Sequence, residues 1–139
     1  MTNNFLLFKQ GWRYKMKITL YWHPQCQTCR KTKKWLDEYQ VPYEPFHIVK
    51  APPSREKLQE MYEKSGLELK CFFSTSTKKY REMGIKNKLK TSTTKELLDL
   101  LASDGMLLKK PILSDGVKVI IGFKEEELEK YTTFNYNRD

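Results

Sequence analysis

An α/β domain is what the sequence predicts: a small mixed sheet of about four strands flanked by helices, with a helical subdomain inserted between its halves. Three features predict it. The folded part opens with strand, helix, strand. It closes with a hairpin and a helix. Between them lies a lysine-rich stretch that carries only helical patterns.

"KITLYW" (17–22) is rich in β-formers and alternates as a strand entering a core. The turn "HPQ" follows. Thr32, Leu36 and Tyr39 then recur at helical spacing with Trp35 beside them, so Trp35 and Tyr39 are expected in the core, while Lys31, Lys34 and Glu38 lie off that stripe. "VPYEPFHIV" (41–49) reads as a second strand, and Pro42 and Pro45 confine it to an edge or an irregular start. Ser54 is a fitting N-cap for the next helix, with Glu56 in its first turn, Leu58, Met61 and Tyr62 as its apolar stripe and Gly66 as its stop.

Residues 67–92 are expected to form short helices. In "TTKELLDLLASDG", Thr93 and Glu96 make a capping-box pair, Leu97, Leu98, Leu100 and Leu101 supply the buried face, and Gly105 fits the C-terminal cap. "PILSDGVKVIIGF" (111–123) predicts two antiparallel strands about Ser114-Asp115-Gly116. "KEEELEKY" predicts a last helix with Glu125, Glu126 and Glu127 in its first turn, where acidic groups suit the helix dipole.

A chain of 139 residues is long enough for one domain with a real core and short for two. Residues 1–15 are expected to be an N-terminal extension whose apolar part is only Phe5-Leu6-Leu7-Phe8, too short for a signal peptide, and Met16 is a plausible alternative start of the folded unit. A single domain is expected over 16–134, with the helical insertion at about 52–105 and a tail at 135–139. Nothing approaches the roughly 18 apolar residues of a membrane span, so no membrane contact is expected. Three cysteines, an odd count, point away from a disulfide-stapled secreted domain and towards a cytoplasmic protein with reduced thiols. The net charge of +9 comes largely from lysines in separate groups: Lys31, Lys33 and Lys34, then Lys64, Lys78 and Lys79, then Lys86, Lys88 and Lys90. No aromatic interleaving, helix-turn-helix or zinc-finger pattern accompanies them, so a solvated basic surface is expected rather than direct nucleic-acid binding.

"HPQCQTCRKTKKWL" (23–36) puts Cys26 and Cys29 three positions apart, straddling the start of the first predicted helix. A zinc site needs a closed ligand set, commonly two separated pairs. Beyond this pair the chain offers Cys71, His23 and His47 with no second C-x-x-C, so no metal is expected. Two small buried hydrophobes would explain the residue type but not the placement. At a helix start, unpaired N–H groups and the positive end of the dipole favour thiolate at Cys26, and Arg30 adds charge in the same sense. A C-x-x-C beside a strand–helix–strand unit is a thioredoxin-like redox signal. His23 is either a proton acceptor or thiolate partner for Cys26, or a solvent-facing loop residue. Cys71 has no motif around it and is expected as a core residue.

Together "ITLYWHPQCQTCRKTKKWLDE", "KKYREMGIKNKLK", "LLASDGMLLKKPIL" and "IGFKEEELEKY" resemble the arsenate reductase/Spx family of thioredoxin-like proteins, over about Lys17 to Phe134. Short uncharacterised members carrying a C-x-x-C are the most similar in kind. The resemblance implies a thioredoxin-like sheet of about four strands with an inserted helical bundle. It implies that Pro24-Gln25-Cys26 holds the catalytic cysteine, that Cys29 completes a redox disulfide, and that Arg30 matches the arginine that follows. Lys110-Pro111-Ile112 matches the family's "RPI" element, whose proline is cis and faces the cysteine. The site residues so implied are Cys26, Cys29, Arg30 and Lys110, with Pro24 and Pro111 structural.

Arsenate-reducing members hold the oxyanion with three arginines. This chain has Lys110 at one of those places, Lys70 at a second by loose alignment, and "IGFKEE" without arginine at the third. Lysine keeps the charge but lacks the planar bidentate fork. The implied activity is thiol–disulfide reduction with an external donor (glutathione with glutaredoxin, or thioredoxin) and no bound cofactor. The alternative it implies is an Spx-like redox-sensing transcriptional regulator that binds the RNA polymerase alpha subunit.

Overall fold

The computed structural model describes residues 18–130. The expected extension at 1–15, the start at Met16 and the tail at 135–139 lie outside the described residues. Strand β1 (Ile18–Trp22) leads into helix α1 (Gln27–Glu38) and strand β2 (Tyr43–His47). Helices α2 (Arg55–Ser65), α3 (Lys78–Glu82), α4 (Ile85–Thr91) and α5 (Thr94–Ser103) follow, with 3₁₀ turns at Leu69–Phe72 and Gly105–Leu107. Strands β3 (Ile112–Ser114) and β4 (Val119–Ile121) come next, and residues 125–130 form helix α6.

The strands make one four-stranded sheet in the order β2-β1-β3-β4. β1 is parallel to β2 and antiparallel to β3, which is antiparallel to β4. β2 is thus an edge strand, which lets Pro45 sit opposite Leu20 although it has no N–H to donate.

Alternation along the strands divides the core into two layers. Leu20, Leu113 and Ile120 stand in one cross-strand row and pack with Trp35 and Leu36 of α1 and Leu128 of α6. Tyr21, Ile112 and Ile121 form the next row and face the opposite way, into the helical layer of Leu58, Met61, Leu97, Leu98 and Leu101. Each fully buried leucine of these rows contributes about 1.5–3 kcal/mol. The result is helix, sheet, helix, as the strand–helix order predicts. No helix among the described residues is long and apolar enough to cross a membrane.

The helix ends follow local chemistry. Ser54 accepts from the Lys57 N–H at 3.0 Å, and Gly66 ends α2 with φ +70°. Thr93 and Glu96 form the complete capping box, at 2.8 and 3.1 Å. α1 ends without a glycine. Gln40 takes the left-handed conformation at φ 56°, while Val41 N–H bonds Leu36 O at 2.9 Å and Gln40 N–H bonds Asp37 O at 3.2 Å.

Three expectations are corrected. Tyr39 is 43% exposed, because it is the C-cap of α1, one residue past the helical segment whose stripe buries Thr32 and Leu36, and it rests on Trp35 at 4.4 Å between ring centres. Cys71 is exposed on the turn Leu69–Phe72, whose buried positions are Leu69 and Phe72. Gly105 is not the cap of α5. That helix ends at Asp104 in extended conformation, and Gly105 begins the 3₁₀ turn against the chain after β2. A Cβ there would lie 2.0 Å from Ile48 O and 2.8 Å from Ile48 C, so close backbone approach is what requires glycine.

Gly105→Ala should therefore destabilise the protein by about 2–3 kcal/mol, read from the urea midpoint. A loss below about 0.5 kcal/mol would show that the backbone yields freely. Thr93→Ala, which removes the capping box, should cost about 1 kcal/mol by the same measurement.

Candidate functional site

β1 is paired on both sides and ends at Trp22, so the chain leaves the sheet with a fixed direction. The turn that follows is closed by Cys26 N–H bonding His23 O at 3.0 Å. Cys26 is itself the N-cap of α1. Its φ and ψ are −89° and 118°, and its Sγ accepts from the Cys29 N–H at 3.2 Å. A sulfur thus occupies the place usually taken by a Ser or Asp oxygen. Arg30 is exposed, and its guanidinium donates to Pro24 O at 2.8 Å, tying the loop down across the start of the helix.

One turn into α1, Cys29 is completely buried, whereas Cys26 is partly exposed; both are free thiols. Burial, then the hydrogen bond with Cys26, push the Cys29 thiol up to about 12. The His23 main chain and the Lys110 charge pull the other way without overcoming this. The pair is asymmetric: one sulfur is presented to solvent and the other is kept protonated beneath it.

The β1–β3 pairing brings the third component. Tyr21 lies opposite Ile112, so the two residues before Ile112 stand beside the end of β1. The Lys110–Pro111 bond is cis and Pro111 is buried. The Lys110 ammonium donates to Leu108 O at 2.9 Å. Burial holds this amine below its ordinary value, partly countered by its electrostatic coupling to Cys29, Cys26 and Asp104. Asp104 is held below the usual carboxylate range by its ion pair with Lys79 and by the Met106 N–H at 2.8 Å.

Pro24, Cys26, Cys29, Arg30, Lys110 and Pro111 therefore converge at one end of the sheet. Lys70 and Cys71 do not join them: both are exposed on the 3₁₀ turn Leu69–Phe72, and neither side chain bonds to the site. Sequence reasoning missed His47 as a neighbour of this site. Its ring meets that of His23 edge-on, 5.0 Å between centres. The signal was available, because parallel strands that end at Trp22 and His47 bring the residues at their C-terminal ends together. Among the described residues no three His, Cys, Asp or Glu side chains gather as a metal cluster.

A mixed four-stranded sheet between helical layers, with a C-x-x-C opening its first helix, defines a protein of the thioredoxin-like class. More narrowly, the chain belongs to the ArsC family, whose model matches residues 21–131. The uncharacterized protein YusI of Bacillus subtilis is 54% identical over 115 residues, covering 83% of this chain and 98% of its own length. The global transcriptional regulator Spx of Streptococcus pneumoniae is 31% identical over 121 residues, covering 87% of this chain and 90% of its own. The crystal structure of an ArsC-family-related protein from Bacteroides fragilis superposes with a TM-score of 0.80 at 41% identity, covering 84% of this chain and 98% of that one.

In the folded, reduced protein at about pH 8.5, iodoacetamide should modify Cys26 and the exposed Cys71 and leave Cys29 untouched until denaturant is added. Peptide mapping by mass spectrometry checks this. Modification of Cys29 at the rate of Cys26 would contradict the asymmetry.

Proposed function

We propose that this protein performs thiol–disulfide exchange, with Cys26 as the nucleophile, Cys29 as the resolving thiol and an external thiol as the reductant. The observation that carries this reading is the asymmetry of the pair. Cys26 is accessible and caps α1, while Cys29 is buried one turn below and hydrogen-bonded to it.

The chemistry balances in three steps. Cys26 thiolate attacks one sulfur of a disulfide, forming a mixed disulfide and releasing the other sulfur as a thiolate, which takes up a proton. Cys29 then loses its proton and attacks Cys26 Sγ, forming the Cys26–Cys29 disulfide and expelling the second thiolate, which takes that proton. Two external thiols, from glutathione with glutaredoxin or from thioredoxin, reduce the protein disulfide and are themselves oxidised to one.

The hydrogen bond and charge of Cys26 are among the causes that hold Cys29 protonated. Both change once Cys26 is tied up in a mixed disulfide, while the Lys110 charge and the His23 main chain still favour the Cys29 thiolate. Burial, the largest cause, remains, so the first step lifts only part of what holds the resolving thiol protonated.

Arsenate is the weaker substrate. Lys110 offers a single ammonium, already bonded to Leu108 O, where a bidentate fork suits a tetrahedral oxyanion. The likeness to Spx over 87% of the chain favours one further reading, a redox sensor whose disulfide alters a protein-binding surface such as one for the RNA polymerase alpha subunit.

Turnover separates the two. With NADPH, glutathione reductase, glutathione and glutaredoxin, a catalyst raises NADPH consumption steadily above the protein-free rate when a disulfide substrate is supplied. A sensor stops after one equivalent per chain. Adding arsenate should not raise the rate. Mild oxidation should join Cys26 to Cys29 and leave Cys71 free, and Cys29→Ser should accumulate a mixed disulfide at Cys26. A dominant bridge to Cys71 on peptide mapping would overturn the assignment.

A further inference from the structure

Of the residues around Cys26, thiol exchange as such uses only the Lys110 charge and the His23 main chain, and leaves the rings of His23 and His47 without a part. His23 and His47 follow and end the parallel strands β1 and β2, at the edge where ligands bind in sheets of this kind. Their rings meet edge-on, 5.0 Å between centres, and Lys110 lies close enough for its charge to act on His23 and on both cysteines.

The ring tautomers are set by the backbone. His23 Nδ1 accepts from the Gln25 N–H at 3.1 Å. His47 Nδ1 accepts from the Val49 and Lys50 N–H groups, both at 3.2 Å. A neutral imidazole that accepts at Nδ1 carries its proton at Nε2, so each ring keeps one N–H donor. Desolvation, then His47 and Lys110, lower the His23 pKa, which favours the neutral ring. Lys110 is half-buried, and its ammonium bonds only main-chain oxygens, those of Leu108 and, at 3.5 Å, Met106. The carboxylate that acts on it, Asp104, is already paired with Lys79. The cluster therefore holds one cation and two N–H donors and has no acidic side chain of its own.

We propose that His23, His47 and Lys110 form a recognition subsite for the carboxylate of the thiol or disulfide that Cys26 attacks. A carboxylate accepts from a point-like ammonium and from separate N–H donors without needing a guanidinium fork. It supplies the acidic group that no side chain of the cluster provides. The carboxylate belongs to a small acidic thiol or to an Asp or Glu beside the cysteine of a protein substrate. This inference rests on Cys26 being the nucleophile of the proposed function.

Two reagents of nearly equal size separate recognition from thiol reactivity: iodoacetate, which carries a carboxylate, and iodoacetamide, which is neutral. Both consume the same thiolate, so their rate ratio at Cys26 cancels any change in its ionisation. In the Cys71→Ser protein at pH 7.5, the iodoacetate-to-iodoacetamide ratio should exceed that of an unstructured cysteine peptide by about fivefold, the scale of one partly exposed charge interaction. Lys110→Met and His47→Gln should each bring the ratio down towards the peptide value. Lys118→Gln, which removes a charge from the β3–β4 loop at the far end of β3, should leave it unchanged. A peptide-like ratio with rapid iodoacetamide modification overturns the subsite and spares the nucleophile. Failure of iodoacetamide to modify Cys26 in the folded protein overturns the nucleophile itself, and a fall in Lys118→Gln equal to that in Lys110→Met reduces the effect to overall charge and overturns the subsite.

The source of the carboxylate is read in the Cys29→Ser variant by mixed-disulfide formation. Glutathione disulfide is compared with its ethyl ester, and an Asp-flanked peptide disulfide with its Asn counterpart. Preference for the acid in the first pair supports the subsite and assigns it to a small thiol; preference in the second supports it and assigns it to a protein partner. No preference in either pair overturns it.

Discussion

β1 is bonded along both edges, in parallel to β2 and antiparallel to β3, and every part of the candidate site hangs from that double pairing. The parallel partner sets His47 beside the end of β1, where His23 begins the loop. The antiparallel partner sets Lys110 and Pro111 beside the same end, although about eighty residues of chain separate them from Cys26. Removing either pairing would leave the C-x-x-C intact in sequence and without its surroundings.

Burial in the two layers then differentiates residues that look alike in sequence. Thr32 and Cys29 face the sheet and are fully buried, while Arg30 and Lys34 on the same helix face solvent. For the cysteines this difference is chemical. Burial makes the Cys29 thiol costly to ionise, while Cys26, three positions earlier, stays accessible. The helical layer contributes at a distance. The Lys79–Asp104 pair and the turn Gly105–Leu107 place the main-chain oxygens that orient the Lys110 ammonium.

Comparison with known proteins places the chain among relatives whose names cover a regulator and an uncharacterised protein, joined by one family model. A shared fold accommodates unrelated functions, so family membership by itself does not choose between catalysis and sensing. The charge of the groups around Cys26 bears on that question more directly than the fold does.

Much was legible in the sequence because it is governed by local rules. Strand alternation in "ITLYW", the capping box at Thr93 and Glu96, the stop at Gly66 and the C-x-x-C at a helix start are short-range patterns that survive without tertiary context. The family resemblance extended that reach to the cis Lys110–Pro111 bond. What tertiary structure decided concerns contacts between distant segments. Gly105 looked like a helix cap, and it is glycine because Ile48 O passes where a Cβ would be. Tyr39 and Cys71 looked like core, and the sheet and the helical layer left them outside. His47 carries no motif of its own, and it is the parallel pairing of β1 and β2 that brings its ring to His23. Local sequence determines conformation through bonds a few residues long, whereas proximity across the sheet is set by strand register, which no short window contains.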